Sequence, residues 1–371
     1  MKTEAAVLRE PNGPWEITEI DLDPPKANEV LIKFMASGLC HSDEHVRAHT
    51  TRARLPMVGG HEGSGIVEAV GPGVTRVARG DHVACSYIPA CGRCRYCSTG
   101  HQNLCDVGLN AMVGCLLDGT YRFHLDGKDV GAMCVLGTFS RHAVVSEFSL
   151  IKIDDDYPFE VAALVGCGVP TGWGAAVNTA QVQAGDVAVI YGIGGIGINS
   201  VQGARISGAR VIAVVDPVAG KREAALKLGA THAFATAAHA HDTLTELTQG
   251  QGADRAIVTT GVPDTDTVRA AFEVLGKGGV LVLVGLSSMA AVNVQVPGFG
   301  LVNWEKQIRG SLFGSCNPKY DILKMLSLYE AGTLRLDELI TARYRLEDVN
   351  QGYADLHAGK NIRGIIVHSH D

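Results

Sequence analysis

The sequence predicts a chain of two domains, one mostly β and one α/β with a doubly wound parallel sheet. Three observations predict this. The length of 371 residues is too great for one typical domain and short for three. Up to about residue 165 the chain runs in short alternating apolar stretches broken by glycine turns. From about residue 185, short apolar runs alternate with helix-like stretches, the pattern of a parallel sheet flanked by helices.

In the first part, residues 30–34, 65–70 and 82–85 read as strands. Gly71-Pro72-Gly73 and Gly80-Asp81 read as the turns between them. In the second part, 187–191 is a strand, followed by a glycine loop and a helix to about Ser207. Residues 211–215 form the next strand, and 221–228 a helix ending at Gly229. Residues 256–260 and 280–284 add two more strands. The last sixty or so residues return to a mixed, charged texture, with 343–345 and 364–367 as strand candidates. The segment 233–242, which holds His239 and His241 with His232 nearby, reads as a solvated surface loop; a second metal site there is the weaker reading.

The chain is 46% hydrophobic and 19% charged, ordinary for a globular protein able to bury a large core. Its net charge of -7 argues against nucleic acid and against anionic membrane surfaces. The first twenty residues carry Lys2, Glu4, Arg9, Glu10 and Glu16, so no signal-peptide core is present. The longest apolar runs have strand length. These features predict a cytoplasmic protein.

Gly192-Ile193-Gly194-Gly195-Ile196-Gly197 fits the G-x-G-x-x-G pattern between a predicted strand and a predicted helix, and Asp216 ends the next strand. Gly192 permits the tight turn, Gly194 lets the backbone approach a pyrophosphate, and Gly197 lets the helix pack on the strand. Gly195 and Ile196 open the helix, whose free N–H groups face the phosphates. Asp216 accepts from ribose hydroxyls and repels a 2′-phosphate, which favours NAD over NADP. The competing reading is a glycine-rich turn that binds nothing.

Ten cysteines are present, and Cys91, Cys94, Cys97 and Cys105 fall inside fifteen residues. Without a secretory signal, metal binding is a better reading than disulfides. Four sulfurs on one short loop can close around a single tetrahedral zinc and leave no position for substrate, so this zinc would be structural. Four unrelated buried cysteines and an iron–sulfur cluster are the alternatives.

Cys40, His61 and Cys167 are dispersed, and their spacing does not join them into a site. Gly38 to His45, Gly60-His61-Glu62, the four-cysteine loop, Gly166-Cys167-Gly168 with Thr171-Gly172, the glycine loop with Asp216, and 360–363 nevertheless stand in order along the chain. In these stretches the sequence resembles the zinc-containing medium-chain alcohol dehydrogenases over essentially its whole length. The resemblance implies a GroES-like β catalytic domain (1–168, completed by 312–371) with an inserted Rossmann NAD-binding domain (169–311), and an active site in the cleft. It implies two zinc ions per chain. Cys40, His61 and Cys167 would bind the catalytic one, with Glu62 behind it as an alternate ligand and Asp43 on the other nitrogen of His61. Ser42 would accept the alcohol's proton and pass it, through the nicotinamide ribose, to His45. Thr171 and Val284 would border the nicotinamide and Lys221 the adenosine ribose. His41, where many relatives have arginine, and Arg363 would lie near the pyrophosphate.

Residues 37–42, 88–94, 100–105 and 166–174 are similar to the actinobacterial nitrosodimethylaniline-dependent alcohol dehydrogenases. That subgroup implies a nicotinamide retained between turnovers and reoxidised in place by a dye or by a redox carrier such as mycofactocin. Tyr87, Phe139 and Leu312 or Phe313 are candidates to line the substrate pocket. The main rival is a dehydrogenase acting on a thiol adduct of formaldehyde. Residues 48–54 hold no carboxylate, and Leu109 stands where that class carries arginine, which argues against that substrate; Cys167, where polyol dehydrogenases often carry glutamate, favours a simple primary alcohol or its aldehyde. A non-catalytic nucleotide-binding protein and a zinc-free quinone reductase on this fold are the further alternatives; the retained ligands argue against both. Family habit also suggests a homo-oligomer formed through an exposed edge strand at 280–284.

Overall fold

The computed structural model describes residues 1–51, 53–108, 113–287 and 291–370. The chain divides into two compact units, Met1–Cys167 with Asn317–Asp371, and Gly168–Cys316. Leu109 and Arg52 lie outside the described residues.

The first unit holds two β layers. Lys2–Leu8, Trp15–Leu22, Phe123–Leu125, Lys128–Ala132 and Met57–Val58 close into a small barrel. A second sheet runs in the order Leu150–Ile153, His82–Cys85, Gly63–Val70, Glu29–Gly38, Arg363–Val367, Ile340–Tyr344, with His142–Ser146 also pairing on Glu29–Gly38. The C-terminal tail therefore belongs to this unit: Ile365, Ile366 and Val367 pair antiparallel with Gly38, Ser37 and Ala36. One core, built on Val30, Ile32, Phe34, Val83 and Phe123, fills the space between strands whose side chains alternate inward and outward. A second gathers Leu39, Trp15, Phe139, Val349, Tyr353 and Ile366 around the segment that leads to Cys40.

The second unit is a parallel sheet in the order His232–Phe234, Val211–Val215, Val187–Tyr191, Ala253–Val258, Leu275–Leu283, Gln307–Gly310. Val187–Tyr191 and Val211–Val215 are buried along their whole length, as parallel strands covered on both faces must be. The strand order reverses beside Val187–Tyr191, and in doubly wound sheets ligands bind at such a switch point.

Two expectations need correction. Residues 233–242 are not a loop: they continue the strand His232–Phe234 into the helix Ala237–Leu247. Thr236 caps that helix by accepting from the His239 N–H, and Ala240 and Leu244 turn toward the core. The rings of His232 and His239 pack on Phe234 instead of converging on a common point. The strand at 280–284 is not an edge either, because Gln307–Gly310 pairs along it in parallel. That short strand, Gln-Ile-Arg-Gly, carries no apolar run by which the sequence would announce it.

Candidate functional site

Cys40 lies two residues beyond the strand Glu29–Gly38 and caps the helix His41–Arg47. His61 and Glu62 directly precede the neighbouring strand Gly63–Val70, which pairs antiparallel with the first. The two strand ends therefore bring residues twenty positions apart together, and Cys167 follows the short helix Phe159–Leu164 onto the same spot. One ligand atom from each of Cys40, His61, Glu62 and Cys167 lies within 4.8 Å of the others, and all four residues are buried.

This set fits a metal ion. The Nε2 of His61 is buried and has no hydrogen-bond partner, which is costly unless something outside the protein takes its lone pair. Its Nδ1 is held 3.0 Å from Asp43 Oδ1, an arrangement that keeps the proton on Nδ1. Burial alone would lower the His61 pKa, but Asp43 and Cys40 together raise it well above the ordinary value. The hydrogen bond from Cys167 draws the Cys40 thiol well down, and the same bond holds Cys167 well up. Burial pushes the Glu62 carboxyl up to about 7 against the pull of Arg363. Arg363 is itself buried and gives its guanidinium to Glu62 and to the Leu39 carbonyl, 3.3 Å away. The structure thus gives Arg363 a partner that the sequence did not suggest.

Ser42 Oγ lies 3.7 Å from Cys40 Sγ, and His45 follows one helical turn later with Nδ1 3.0 Å from Thr50 Oγ1. His41 is exposed; its ring meets those of His45 and His357 at 5.6 and 5.9 Å. The Tyr87 ring stands edge-on to His61 at 5.8 Å. Phe139 is fully buried against Trp15 and Tyr353 and is a core residue. Phe313 is buried too, in the second unit, whereas Leu312 is exposed.

Cys91, Cys94, Cys97 and Cys105 form the other converging set. The Sγ–Sγ distances are 4.0 Å for Cys91–Cys97 and 3.9 Å for Cys94–Cys105. Four sulfurs on one tetrahedral zinc stand about 3.8 Å apart, given bonds of about 2.3 Å. Disulfides would need about 2 Å, and the ten cysteines are all free. Sulfurs this close suit a single ion, whereas an iron–sulfur cluster spreads its ligands over several irons. Backbone N–H groups of Cys91, Cys94 and Cys97 each point at a cysteine sulfur at 3.4 Å. Burial opposes ionisation of Cys94, but the N–H groups of Cys97 and Asp106 prevail and bring its thiol to about 7. The Nζ of Lys319 is buried and has no hydrogen-bond partner; burial and Arg76 push it down to about 8 against the pull of Glu147, Cys97 and Cys105. Among the described residues these two sets are the converging ones, and neither includes His232, His239 or His241.

In the second unit, the glycine loop links Val187–Tyr191 to the helix Gly195–Ile206. Gly192 has φ +87°, and a Cβ on it would strike the Thr260 backbone. A Cβ on Gly197 would come within 2.0 Å of the Gly192 carbonyl, so only glycine lets the helix sit this close. A Cβ on Gly194 would meet nothing within 4 Å: open space lies above it at the N-terminus of a twelve-residue helix, a cradle suited to phosphate. Asp216 accepts from the Ile193 and Val218 N–H groups at 2.8 Å each, which ties the strand end to the loop. A carboxylate has about four acceptor sites, so lone pairs remain for ribose hydroxyls. Arg222 wraps this corner through the Asp216 and Pro217 carbonyls, and Lys221 lies beside it on the helix Ala219–Lys227. Thr171 and Val284 are buried in the same unit.

A GroES-like sheet carrying a Cys₂His-carboxylate cluster and a four-cysteine loop, joined to a nucleotide-type sheet, defines a class of zinc-binding dehydrogenase. Residues 26–155 match the alcohol dehydrogenase GroES-like domain family, and 195–331 match the zinc-binding dehydrogenase family. The chain belongs to the zinc-binding alcohol dehydrogenases: it is an enzyme, an oxidoreductase acting on CH–OH groups, and its family implies zinc and a nucleotide cofactor. It is 60% identical to the putative alcohol dehydrogenase D of Mycobacterium tuberculosis, over 99% of this chain and 100% of that protein. It is 56% identical to the NDMA-dependent alcohol dehydrogenase of Amycolatopsis methanolica, over the full length of both. Among solved structures, benzyl alcohol dehydrogenase from Acinetobacter calcoaceticus matches 100% of both chains with a TM-score of 0.93 at 30% identity. No helix among the described residues is long and apolar enough to cross a membrane.

Proposed function

We propose that this enzyme transfers hydride between a primary alcohol or its aldehyde and a tightly held NAD. On this reading it carries two zinc ions, one on Cys40, His61 and Cys167 with Glu62 as an exchange ligand, and one on the four-cysteine loop. The observation that carries the reading is the buried, unpartnered Nε2 of His61 amid two thiols and a carboxylate. Zinc there supplies a positive charge that acidifies a nearby alcohol hydroxyl. The nicotinamide supplies the hydride acceptor. Ser42 takes the hydroxyl proton and His45, one turn along the helix, carries it toward solvent. Asp43 would fix the His61 tautomer through its bond to Nδ1, and the contact with Arg363 would restrain the Glu62 carboxylate beside the bound metal. Gly192, Gly194 and Gly197 seat the pyrophosphate, Asp216 holds the ribose and selects NAD over NADP, and Lys221 lies at the adenosine end.

The full-length match to the NDMA-dependent enzyme supports the subgroup; on this reading NAD is retained and reoxidised in place by a redox carrier such as mycofactocin, in the cytoplasm. The absence of a carboxylate in 48–54 speaks against a thiol adduct as substrate. Denaturing protein purified without added cofactor, then assaying NAD(H) and zinc, tests the reading. One NAD and two zinc per chain are expected. Two zinc without NAD would make the cofactor exchangeable. Less than one zinc, not restored by added zinc, would end the proposed mechanism. Turnover that requires a low-molecular-weight thiol would overturn the substrate.

A further inference from the structure

The residue that holds His61 is itself held. Asp43 is fully buried and accepts three hydrogen bonds: from His61 Nδ1 at 3.0 Å, from the Cys40 N–H at 3.2 Å and from the Tyr353 hydroxyl at 2.6 Å. Tyr353 lies 310 residues further along the chain, on the helix Val349–His357. Its ring is fixed as firmly as its hydroxyl. It packs against Trp15 and Phe139, each at 6.3 Å between centroids. One turn earlier on the same helix, Asn350 binds both the N–H and the carbonyl of Trp15, at 3.0 and 2.8 Å. Gly352 brings the helix so close to Leu39 that a Cβ would lie 2.4 Å from the leucine side chain, immediately before Cys40. The packing against Trp15 and Phe139 requires a ring at position 353. It does not require the hydroxyl, which phenylalanine lacks.

We propose that Tyr353 is a positioning residue for the metal held by Cys40, His61 and Cys167: its hydroxyl fixes the Asp43 carboxylate, which holds His61 with Nε2 aimed at the ion. The inference rests on the metal reading given above. A buried carboxylate that loses one of its three donors is held less firmly in place and can turn. That turn loosens the grip on His61 Nδ1 and lets the imidazole rotate. Partners one step behind a metal ligand typically matter by about 10- to 100-fold in metal affinity.

The test is the rate at which each zinc leaves to a coloured chelator, measured on Tyr353→Phe, Asp43→Asn and the double variant. The four-cysteine zinc is the control within each protein, because Tyr353 does not touch it. Tyr353→Phe should release the Cys40/His61/Cys167 zinc at least about tenfold faster and leave the other zinc unchanged. In the Asp43→Asn background the same change should add nothing, because the hydroxyl acts only through that carboxylate. Equal release from wild type and Tyr353→Phe would overturn the proposal. So would an undiminished effect of Tyr353→Phe when Asp43→Asn is already present, or equal acceleration at both zincs, which would mean general loosening. Wild-type protein with zinc only on the four-cysteine loop would instead refute the underlying metal reading.

Discussion

The two ligand clusters solve one problem by opposite routes. The four-cysteine set takes every ligand from a fifteen-residue loop and fixes the sulfurs with backbone N–H groups of that loop. The Cys40 set draws ligands from positions 40 to 167 and is held by Asp43, Tyr353 and Arg363, the last two from the C-terminal tail. The first is closed by four sulfurs and suits a permanent ion. The second offers thiols, an imidazole and a carboxylate tethered by arginine, a donor set suited to an ion that keeps a position for substrate. A local site follows from the loop alone, whereas a distributed site requires the whole unit to be folded.

The sharpest break in this comparison comes from removing a ligand on each side. His61→Ala should lower turnover by about 10³-fold or more, since a Lewis acid is worth several kcal/mol. The protein should stay folded, with zinc dropping from two ions per chain to one, as elemental analysis would show. Cys97→Ala should do the reverse. The loop loses its ion and the protein loses several kcal/mol of stability, read as a lower melting temperature. Activity measured on the surviving folded fraction should stay within a few-fold of wild type.

Lys319 separates the two sites more finely. With zinc bound, four thiolates leave about two negative charges near this buried ammonium; without zinc, protonated thiols leave only Glu147 to compensate it, against burial and Arg76. Lys319→Met should therefore weaken zinc binding on the loop by about tenfold and yet stabilise the zinc-free protein. Chelator competition and melting of both forms would check the two signs. A loss of stability in the zinc-free form would show that Glu147 compensates the lysine without the metal.

The smallest effect concerns acid. His368, beside the tail strand Arg363–Val367, is pushed down to about 3 by burial, with His370, Arg141 and His142 adding to the effect and its bond to the Thr138 carbonyl opposing it. The unfolded chain binds this proton near pH 6.5 and the folded chain does not. Stability therefore falls as pH drops from about 6.5 toward 3. Between pH 6.5 and 5.5 this amounts to about 1 kcal/mol or slightly less. His368→Gln, which keeps a donor for Thr138, should lose correspondingly less stability over that interval in urea titrations.

The glycine loop, Asp216 and the four-cysteine loop were legible in the sequence because each is a local pattern, with its chemistry written within a few residues or one strand–helix–strand unit. The strands 82–85, 187–191 and 211–215 were legible because short buried runs admit few other readings. The helix at Ala237–Leu247 was missed because a capping threonine and two inward residues are a faint signal among alanines and histidines. The edge strand Gln307–Gly310 was missed because an edge needs little apolar surface. By itself the sequence determined which residues are able to bind metal and phosphate. Which of them meet was decided by the tertiary structure. Cys40, His61 and Cys167 could be joined beforehand only through a family resemblance. Tyr353 behind Asp43, and Arg363 against Glu62, could not be read at all. Both join segments some three hundred residues apart. A hydrogen bond leaves no trace in the spacing of residues that only the fold makes neighbours.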